Sequence, residues 1–163
     1  MGETKKILVA YFSHSGNTRE IASQIHKIVG GDIFEIQAIK NYPVDYDAVV
    51  KVARLELDSG FKPELKTKFK NINSYDAVFL GYPSWWGTFP APVKTFLSEN
   101  DFSGKQIIPF CTQEGSGLGR SVEDISKLYP KAVLLDGLAI RGSQVQNSEK
   151  KLSEWLRKIK FSK

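Results

Sequence analysis

Few side chains in this sequence of 163 residues are suited to binding a metal or forming a cross-link. There is one cysteine, Cys111, and the two histidines, His14 and His26, are separated in the chain. A single cysteine excludes an intramolecular disulfide and a cysteine-based metal cluster, and two separated histidines give a metal site little support. We therefore predict no bound metal, and this composition fits a reducing, intracellular setting.

Long apolar segments are also missing. The apolar run at residues 7–12 is too short for the core of a signal peptide, and His14 and Asn17 follow it at once. No segment approaches the roughly 20 apolar residues of a membrane-spanning helix. The first residues also lack the serine or threonine that a myristoylation signal requires. We expect a soluble, cytoplasmic protein with no membrane partner.

The two signs of charge are unequal: Lys and Arg number 23, Asp and Glu number 18, and the net charge is +5. Such an excess raises the question of nucleic-acid binding. The lysines, however, are spread along the chain, and their densest group fits the solvated face of a terminal amphipathic helix. That group comprises Lys150, Lys151, Arg157, Lys158, Lys160 and Lys163. We predict no nucleic-acid partner and expect the charge to influence which protein docks.

What is present is typical of a globular protein, with 41% hydrophobic and 25% charged residues. Residues 1–163 are enough for one domain with a full core and too few for two comfortable ones, so we predict a single domain. Apolar runs predict buried strands at residues 7–12, 33–36, 77–81, 107–111 and 132–135, the last continuing at 138–140.

Helical patterns separate these strands. One follows Thr18, a second is capped by Asp47, and a third begins at Pro90 and Pro92. The fourth uses Val122, Ile125 and Leu128, and the last uses Val145, Leu152, Trp155, Leu156 and Ile159. The predicted strands are continuous apolar runs, so both faces of the sheet should be covered. The sequence therefore predicts an α/β fold with a doubly wound parallel sheet.

Small hydroxylic residues follow the first predicted strand: Ser13, Ser15, Asn17 and Thr18 surround Gly16. Their hydroxyls and the amides at the start of the next helix can bind a phosphate, a preference that the helix dipole strengthens. No lysine follows Gly16, so this is not a P-loop, and a permanently bound cofactor phosphate fits better than a transferred one. A plain strand-to-helix turn with an N-cap is the alternative that this stretch alone leaves open.

Two further loops should share the same edge of the sheet, at the carboxyl ends of strands, where ligands bind in such folds. Loop 83–89 carries Trp85 and Trp86, and loop 112–119 offers many backbone amides. A phosphate site, an aromatic platform and an amide-lined rim together suit flavin mononucleotide (FMN). The alternative is that both tryptophans are core residues. Adjacent side chains usually point to different sides, so we expect one in the core and one against the ligand.

A dinucleotide fingerprint is a competing interpretation of the third loop. Residues 115–120 follow a predicted strand and precede a helix, and Asp136 lies at a plausible distance for a ribose-binding carboxylate. The sixth position, however, is Arg120 rather than glycine, and this is not the first strand-to-helix turn, where the fingerprint belongs. We therefore disfavour a nicotinamide dinucleotide site here.

Three segments, residues 13–18, 81–87 and 110–117, resemble the flavin-binding loops of flavodoxins, and the resemblance covers essentially the whole chain. It implies a five-stranded sheet of order 2-1-3-4-5 with FMN at the point where the strand order reverses. The residues that it assigns to FMN are Ser13, Ser15, Gly16, Asn17, Thr18, Pro83, Ser84, Trp85, Trp86, Gly87, Thr112, Gln113, Glu114 and Gly115. His14 is expected to point to solvent, and Cys111 to be a small core residue.

The function that the resemblance implies is electron transfer through FMN, which needs no catalytic acid or base. Redox partner proteins, a reductase and an acceptor, would then serve a carrier, while Glu114 could supply charge near the flavin. Two departures support an alternative, an FMN-dependent NAD(P)H:quinone oxidoreductase using a nicotinamide and a quinone. The chain is basic whereas flavodoxins are typically acidic, and its second and third loops resemble a subgroup that includes quinone reductases. A signalling receiver domain is disfavoured, because the strands do not end in its phospho-acceptor carboxylate.

Overall fold

A parallel sheet with helices on both faces forms the protein in the computed structural model, which describes residues 5–161. The strands are β1 (Ile7–Tyr11), β2 (Asp32–Glu35), β3 (Ala77–Pro83), β4 (Gln106–Gln113), β5 (Val133–Leu134) and β6 (Leu138–Arg141). The helices are α1 (Asn17–Val29), α2 (Tyr46–Ser59), α3 (Ala91–Glu99), α4 (Ser121–Leu128) and α5 (Glu149–Lys158). No helix in this part of the chain is long and apolar enough to cross a membrane.

The strands are ordered β2-β1-β3-β4-β5, and β6 pairs with β4 beyond the end of β5. Every pairing is parallel. β5 lies beside Gln106 and Ile107, whereas β6 lies beside Phe110 to Gln113, so the two form one interrupted edge. The prediction of a doubly wound parallel sheet of order 2-1-3-4-5 is confirmed, including the continuation of its last strand.

Both faces of the sheet are buried, as the continuous apolar strands predict. Successive side chains of a strand point to opposite faces, and in β1 Leu8 and Val9 therefore belong to different core clusters. α1 and α5 pack on the cluster that contains Val9, while α3 and α4 pack on the cluster that contains Leu8. α2 lies beside α3.

The start of α2 differs from the prediction. The capping residue is Asp45, whose backbone is extended and whose carboxylate accepts a hydrogen bond from the Ala48 amide at 3.0 Å. Asp47, the predicted cap, lies within the first helical turn, where its charge suits the helix dipole. The helix ends at Gly60, which adopts a left-handed conformation with φ +67°.

Two other helix predictions are wrong in detail. Val145 is buried but lies in a 3₁₀ segment, Gly142–Asn147, that precedes α5 rather than in the last helix itself. Leu128 ends the short helix α4 and is 41% exposed, so it does not belong to the helix's buried stripe. In the connection between α2 and β3, Leu65 forms an isolated bridge with Ala38, and a 3₁₀ turn spans Ile72–Ser74.

Candidate functional site

A cavity of about 800 Å³ lies at the carboxyl edge of β1, β3 and β4, where the three predicted loops meet. We call it the loop cavity. The predicted residues that line it are Ser15, Asn17, Pro83, Ser84, Trp85, Trp86, Thr112, Gln113, Glu114 and Gly115. The other four predicted residues, Ser13, Gly16, Thr18 and Gly87, do not line it.

Ser13 and Gly16 shape the first loop from behind. The Ser13 hydroxyl oxygen accepts hydrogen bonds from the amides of Gly16, at 3.1 Å, and Arg19, at 3.2 Å. Gly16 adopts φ +102°, a conformation that side-chain-bearing residues rarely take. These two residues therefore hold the turn that presents Ser15 and Asn17 to the cavity.

Thr18 joins the first loop to the third. Its side chain is buried, with 1% of the residue exposed, and its hydroxyl shares a 2.8 Å hydrogen bond with the hydroxyl of Thr112. Because Thr112 lines the loop cavity, this bond fixes the third loop against the start of α1. A hydroxyl buried in this way has a structural partner already, a feature that the sequence pattern alone does not reveal.

The two tryptophans sit on a tight hairpin turn. Residues 85 and 88 exchange two backbone hydrogen bonds, of 2.9 and 3.3 Å, and the two residues between them, Trp86 and Gly87, have φ +56° and +78°. These angles are typical of a type I′ turn, which needs positive φ at both central positions. Glycine adopts such an angle readily, whereas tryptophan does so at a cost, so the turn holds strain at Trp86.

Trp86 forms an outer rim of the cavity and is 47% exposed. Its indole nitrogen donates a 3.0 Å hydrogen bond to the Val50 carbonyl oxygen, and the Arg54 guanidinium lies 5.1 Å from the ring centroid. Both partners belong to α2, so Trp86 connects the second loop to that helix.

Trp85 packs inside an aromatic cluster. Its ring lies edge-to-face against Phe12, His14 and Tyr42, with centroid distances of 5.5, 5.7 and 5.2 Å. It also lines the loop cavity, as Trp86 does. The expectation of one core and one ligand-facing tryptophan is met only in part, since both reach the cavity. That one of the two stacks on a ligand stays a prediction.

The expectation that His14 points to solvent is wrong. Its Nε2 atom forms a 2.7 Å hydrogen bond with the Pro43 carbonyl oxygen, and its ring contacts Trp85. The side chain is half-buried and lines the loop cavity. The cause is tertiary: the connection between β2 and α2 passes over the first loop, and no local pattern in residues 13–18 records that.

The third loop is held by its own side chains. The side-chain Oε1 atom of Gln113 accepts hydrogen bonds from the backbone amides of Gly115 and Gly117, the latter at 3.2 Å. The Ser116 hydroxyl donates a 3.1 Å hydrogen bond to the hydroxyl of Ser84 and so connects the third loop to the second. Gln113 therefore positions the loop with its side-chain oxygen, while its NH₂ group takes part in none of the hydrogen bonds found within residues 5–161.

The second and third loops also touch through their backbones. The Arg120 amide donates a 2.8 Å hydrogen bond to the Gly87 carbonyl oxygen. Gly119 packs so closely that an added Cβ would lie 2.2 Å from that same oxygen. Glycine at position 119 is therefore a requirement of the contact between the loops.

Among the described residues that line the loop cavity, Glu114 is the only one with a carboxylate, and none is a lysine or arginine. Its Oε1 atom and the side-chain nitrogen (Nδ2) of Asn17 both lie close to Gly142. A Cβ added at Gly142 would be 2.5 Å from the Glu114 oxygen and 2.8 Å from the Asn17 nitrogen. The carboxylate thus lies beside Gly142, which follows β6. Cys111 is 1% exposed and burial raises the pKa of its thiol to about 12, as expected for a core residue.

A fourth wall of the cavity escaped sequence reasoning. It comes from the connection before α2 and from α2 itself: Val44, Tyr46, Val49, Val50 and Ala53. Val44 is 93% exposed and Tyr46 is 77% exposed, so two large apolar side chains stand at the mouth in water. β2 lies next to β1, so the connection that leaves the carboxyl end of β2 begins at the same edge of the sheet as the three loops. The predicted strand order could therefore have indicated this fourth wall. Ser116 was also missed.

A family model described as flavodoxin matches residues 6–159 of this chain. A candidate flavoprotein from Bacteroides eggerthii is 34% identical, with 96% of this chain and 98% of that chain covered and a TM-score of 0.84. A second, from Bacteroides uniformis, is 30% identical, with 95% and 99% covered and a TM-score of 0.84. A flavoprotein in complex with FMN from Lactobacillus acidophilus is 22% identical, with 88% and 97% covered and a TM-score of 0.69. No curated protein matches.

Proposed function

This chain belongs to the flavodoxin family, and we propose that it binds FMN in the loop cavity and works in electron transfer. The observation that carries the proposal is the convergence of the three loops on one cavity of about 800 Å³. That volume lies within the range of small-molecule and cofactor sites. A flavoprotein with the same fold, from Lactobacillus acidophilus, was solved in complex with FMN.

The end of the cavity near α1 fits a phosphate that stays bound. Ser15 and Asn17 offer a hydroxyl and an amide there, at the N-terminus of a helix of 13 residues. The first amides of a helix have no partner within it, and the helix dipole favours an anion at that end. The Ser13 hydroxyl and the left-handed Gly16 keep the loop in the shape that exposes these groups.

The opposite side of the cavity fits a planar ring. Trp85 and Trp86 offer aromatic surface, and Val44, Val49 and Val50 add an apolar wall. The Gln113 NH₂ group and the hydroxyls of Thr112 and Ser116 are polar groups suited to the ring's heteroatoms. Such a site, apolar with a few placed polar groups, is the usual design of a cofactor pocket.

FMN bound here would accept electrons from one partner and pass them to another, and the residues of this chain would bind and tune it. The tryptophans and the valines of α2 would exclude water from the ring. The Glu114 carboxylate would disfavour further negative charge nearby and so lower the midpoint potential. No residue of the cavity is required to transfer a proton in that role.

The test is a fluorescence titration of the FMN-free protein with FMN and, separately, with riboflavin, which lacks the phosphate. FMN is expected to bind about 100-fold more tightly, since the phosphate gains charge-assisted hydrogen bonds at the start of α1. Absence of FMN binding would refute the proposal. Equal affinities for the two flavins would refute the phosphate site.

An FMN-dependent NAD(P)H:quinone oxidoreductase is the second candidate. One observation favours it: the third loop, residues 112–119, contains no aromatic side chain, and both tryptophans come from the second loop. One face of the flavin ring would then be left for a second planar molecule.

Anaerobic NADPH added to the FMN-loaded protein separates the candidates, because direct bleaching of the flavin bands indicates the enzyme. A carrier is reduced by dithionite or through a reductase and is indifferent to NADPH alone.

A further inference from the structure

A second cavity lies beside the loop cavity. It has a volume of about 250 Å³ and lies between α2, α3 and α4. We call it the helix cavity. Trp85 and Ala53 line both cavities and so form part of the wall between them. We propose that the helix cavity binds a small aromatic carboxylate of one or two rings, at a site separate from the proposed FMN site.

The size of the helix cavity limits what it can hold. An apolar cavity of about 150 Å³ holds a benzene molecule. A volume of about 250 Å³ therefore accommodates one ring or two fused rings. The loop cavity, at about 800 Å³, is more than three times as large, so the helix cavity is too small for a flavin nucleotide or a peptide helix.

The walls of the helix cavity are chiefly apolar. Phe61, Trp85 and Phe89 contribute aromatic surface, and Leu57 and Leu128 contribute aliphatic surface. Phe61 is 50% exposed and Leu128 is 41% exposed, so both stand partly in water at the opening. A bound aromatic ring would cover this surface, and removing apolar area from water favours binding.

Two acidic residues line the helix cavity, and each already has partners. Glu56 accepts a 2.6 Å hydrogen bond from the Tyr42 hydroxyl. Asp124 accepts from the Thr88 hydroxyl at 2.6 Å and from the Arg120 guanidinium at 3.3 Å. These hydrogen bonds hold the two carboxylates in fixed directions within the protein.

Lys94 is the cation placed to receive a ligand. It lines the helix cavity, is half-buried, and takes part in none of the ion pairs found within residues 5–161. Its Nζ atom lies beside Gly60 at the end of α2, 3.6 Å from where a Cβ would stand. The second lysine of the lining, Lys127, already lies 3.9 Å from the Glu123 carboxylate and is largely in water.

Apolar walls and an ammonium that forms no ion pair within residues 5–161 suit an amphipathic anion. A bound hydrocarbon would form no hydrogen bond with the Lys94 ammonium, and a bound inorganic anion would leave the apolar walls in contact with water. An aromatic carboxylate satisfies both, since its ring fills the cavity and its carboxylate accepts a charge-assisted hydrogen bond from Lys94. The combination of an apolar cavity and the Lys94 ammonium therefore indicates an aromatic carboxylate as the ligand.

The test is a titration of the ¹⁵N-labelled protein with 2-naphthoate, followed by amide chemical shifts, without FMN and again with saturating FMN. We expect saturable binding of one molecule that shifts the amides of Gly60, Lys94 and Leu128 and has the same affinity in both conditions. Lys94→Gln should weaken binding about tenfold, the loss typical of one charged hydrogen bond. Lys62→Gln removes an exposed lysine outside the cavity and should leave the affinity unchanged.

Three outcomes would overturn the proposal. The first is the absence of saturable binding up to about 10 mM 2-naphthoate, because a specific site for a fragment of this size should be saturated at that concentration. The second is a shift pattern confined to the loop cavity, with displacement by FMN. The third is equal affinity in Lys94→Gln and Lys62→Gln. Ala91→Leu adds a check, because its longer side chain should fill the helix cavity and abolish binding in a protein whose other amide shifts are retained.

Discussion

Single residues at the proposed FMN site work mostly by holding other residues in place. Ser13, Thr18 and Gln113 all bond to neighbouring loop atoms. The serines and threonine of the phosphate-loop pattern therefore indicated the region of the loop cavity, and the binding of a phosphate there stays a prediction. The division between residues that face the cavity and residues that support it depends on hydrogen bonds across the fold, which sequence does not encode locally.

Cys111 is predicted to be chemically inert in the folded protein. Burial raises the pKa of its thiol to about 12, so at pH 8 only about one molecule in ten thousand carries the reactive thiolate. A disulfide-exchange thiol reagent should not label the native protein within an hour, and should label it at once in denaturant. Rapid labelling under native conditions would contradict the buried position.

Glu56 is predicted to make stability depend on pH. Burial raises the pKa of its carboxyl above the usual value, because the charged form is poorly solvated. The folded state therefore binds the proton more tightly than the unfolded state does, and this contribution is lost as pH rises from the usual carboxyl range through the raised pKa. Glu56→Gln should flatten the fall in the free energy of unfolding over that range, measured by urea unfolding.

The control for this prediction is Glu123→Gln, which removes an exposed carboxyl on α4 and so tests whether the loss of a negative charge elsewhere on the surface has the same effect. Parallel profiles for wild type and Glu56→Gln would contradict the assignment.

At the scale of elements, the loops and α2 form one unit around the loop cavity. Trp86 is hydrogen-bonded to α2, Ser116 to Ser84, and Arg120 to Gly87. A change in one loop should therefore reach the others. The same contacts explain why α2 forms the fourth wall of the loop cavity, because its first turns lie beside the second loop.

Gly119→Ala is predicted to damage the site by separating the second and third loops. The new Cβ would collide with the Gly87 carbonyl oxygen, and φ +56° is unfavourable for alanine. We expect a loss of more than about 2 kcal/mol in the free energy of unfolding, and weaker FMN binding. Chemical denaturation and an FMN titration measure the two effects.

Gly104→Ala is the matched control for that substitution. Gly104 has φ +77° with open space around its Cβ position, so only the backbone cost of about 1 kcal/mol should appear. Equal stability losses and unchanged FMN affinity in both variants would show that the contact between the loops is unimportant.

Asp45→Ala is predicted to destabilise α2 by about 1 kcal/mol, because it removes the hydrogen bond to the Ala48 amide. Asp47→Ala should cost less, since Asp47 contributes only charge near the helix start. The free energies of unfolding of the two variants decide between the two caps. A larger loss for Asp47→Ala would contradict the structure.

Over the whole molecule, the fold followed from sequence more completely than the site did. Continuous apolar strands such as residues 77–81 predict a sheet covered on both faces, and that holds independently of loop detail. Capping was less predictable, because Asp45 and Asp47 are both acceptable caps and only the backbone angle selects one. Contacts between distant segments, such as His14 with Pro43, arise from the folded topology alone.

The basic net charge of +5 is a property of the entire chain, and it would steer association with a partner of opposite charge. A partner in the proposed electron transfer should accordingly present an acidic surface. The charge has no counterpart in the loop cavity, whose lining, within residues 5–161, holds the carboxylate of Glu114 and no lysine or arginine. Docking and cofactor binding would therefore depend on different parts of the surface.

Binding of FMN in the loop cavity can be tested by the amide chemical shifts of the ¹⁵N-labelled protein with one equivalent of FMN. We expect shifts in all three loops, residues 13–18, 83–89 and 112–119, and at the start of α2. Amides at the far, amino-terminal edge of the sheet should be unaffected. An unchanged spectrum, or shifts centred on the helix cavity instead, would contradict it.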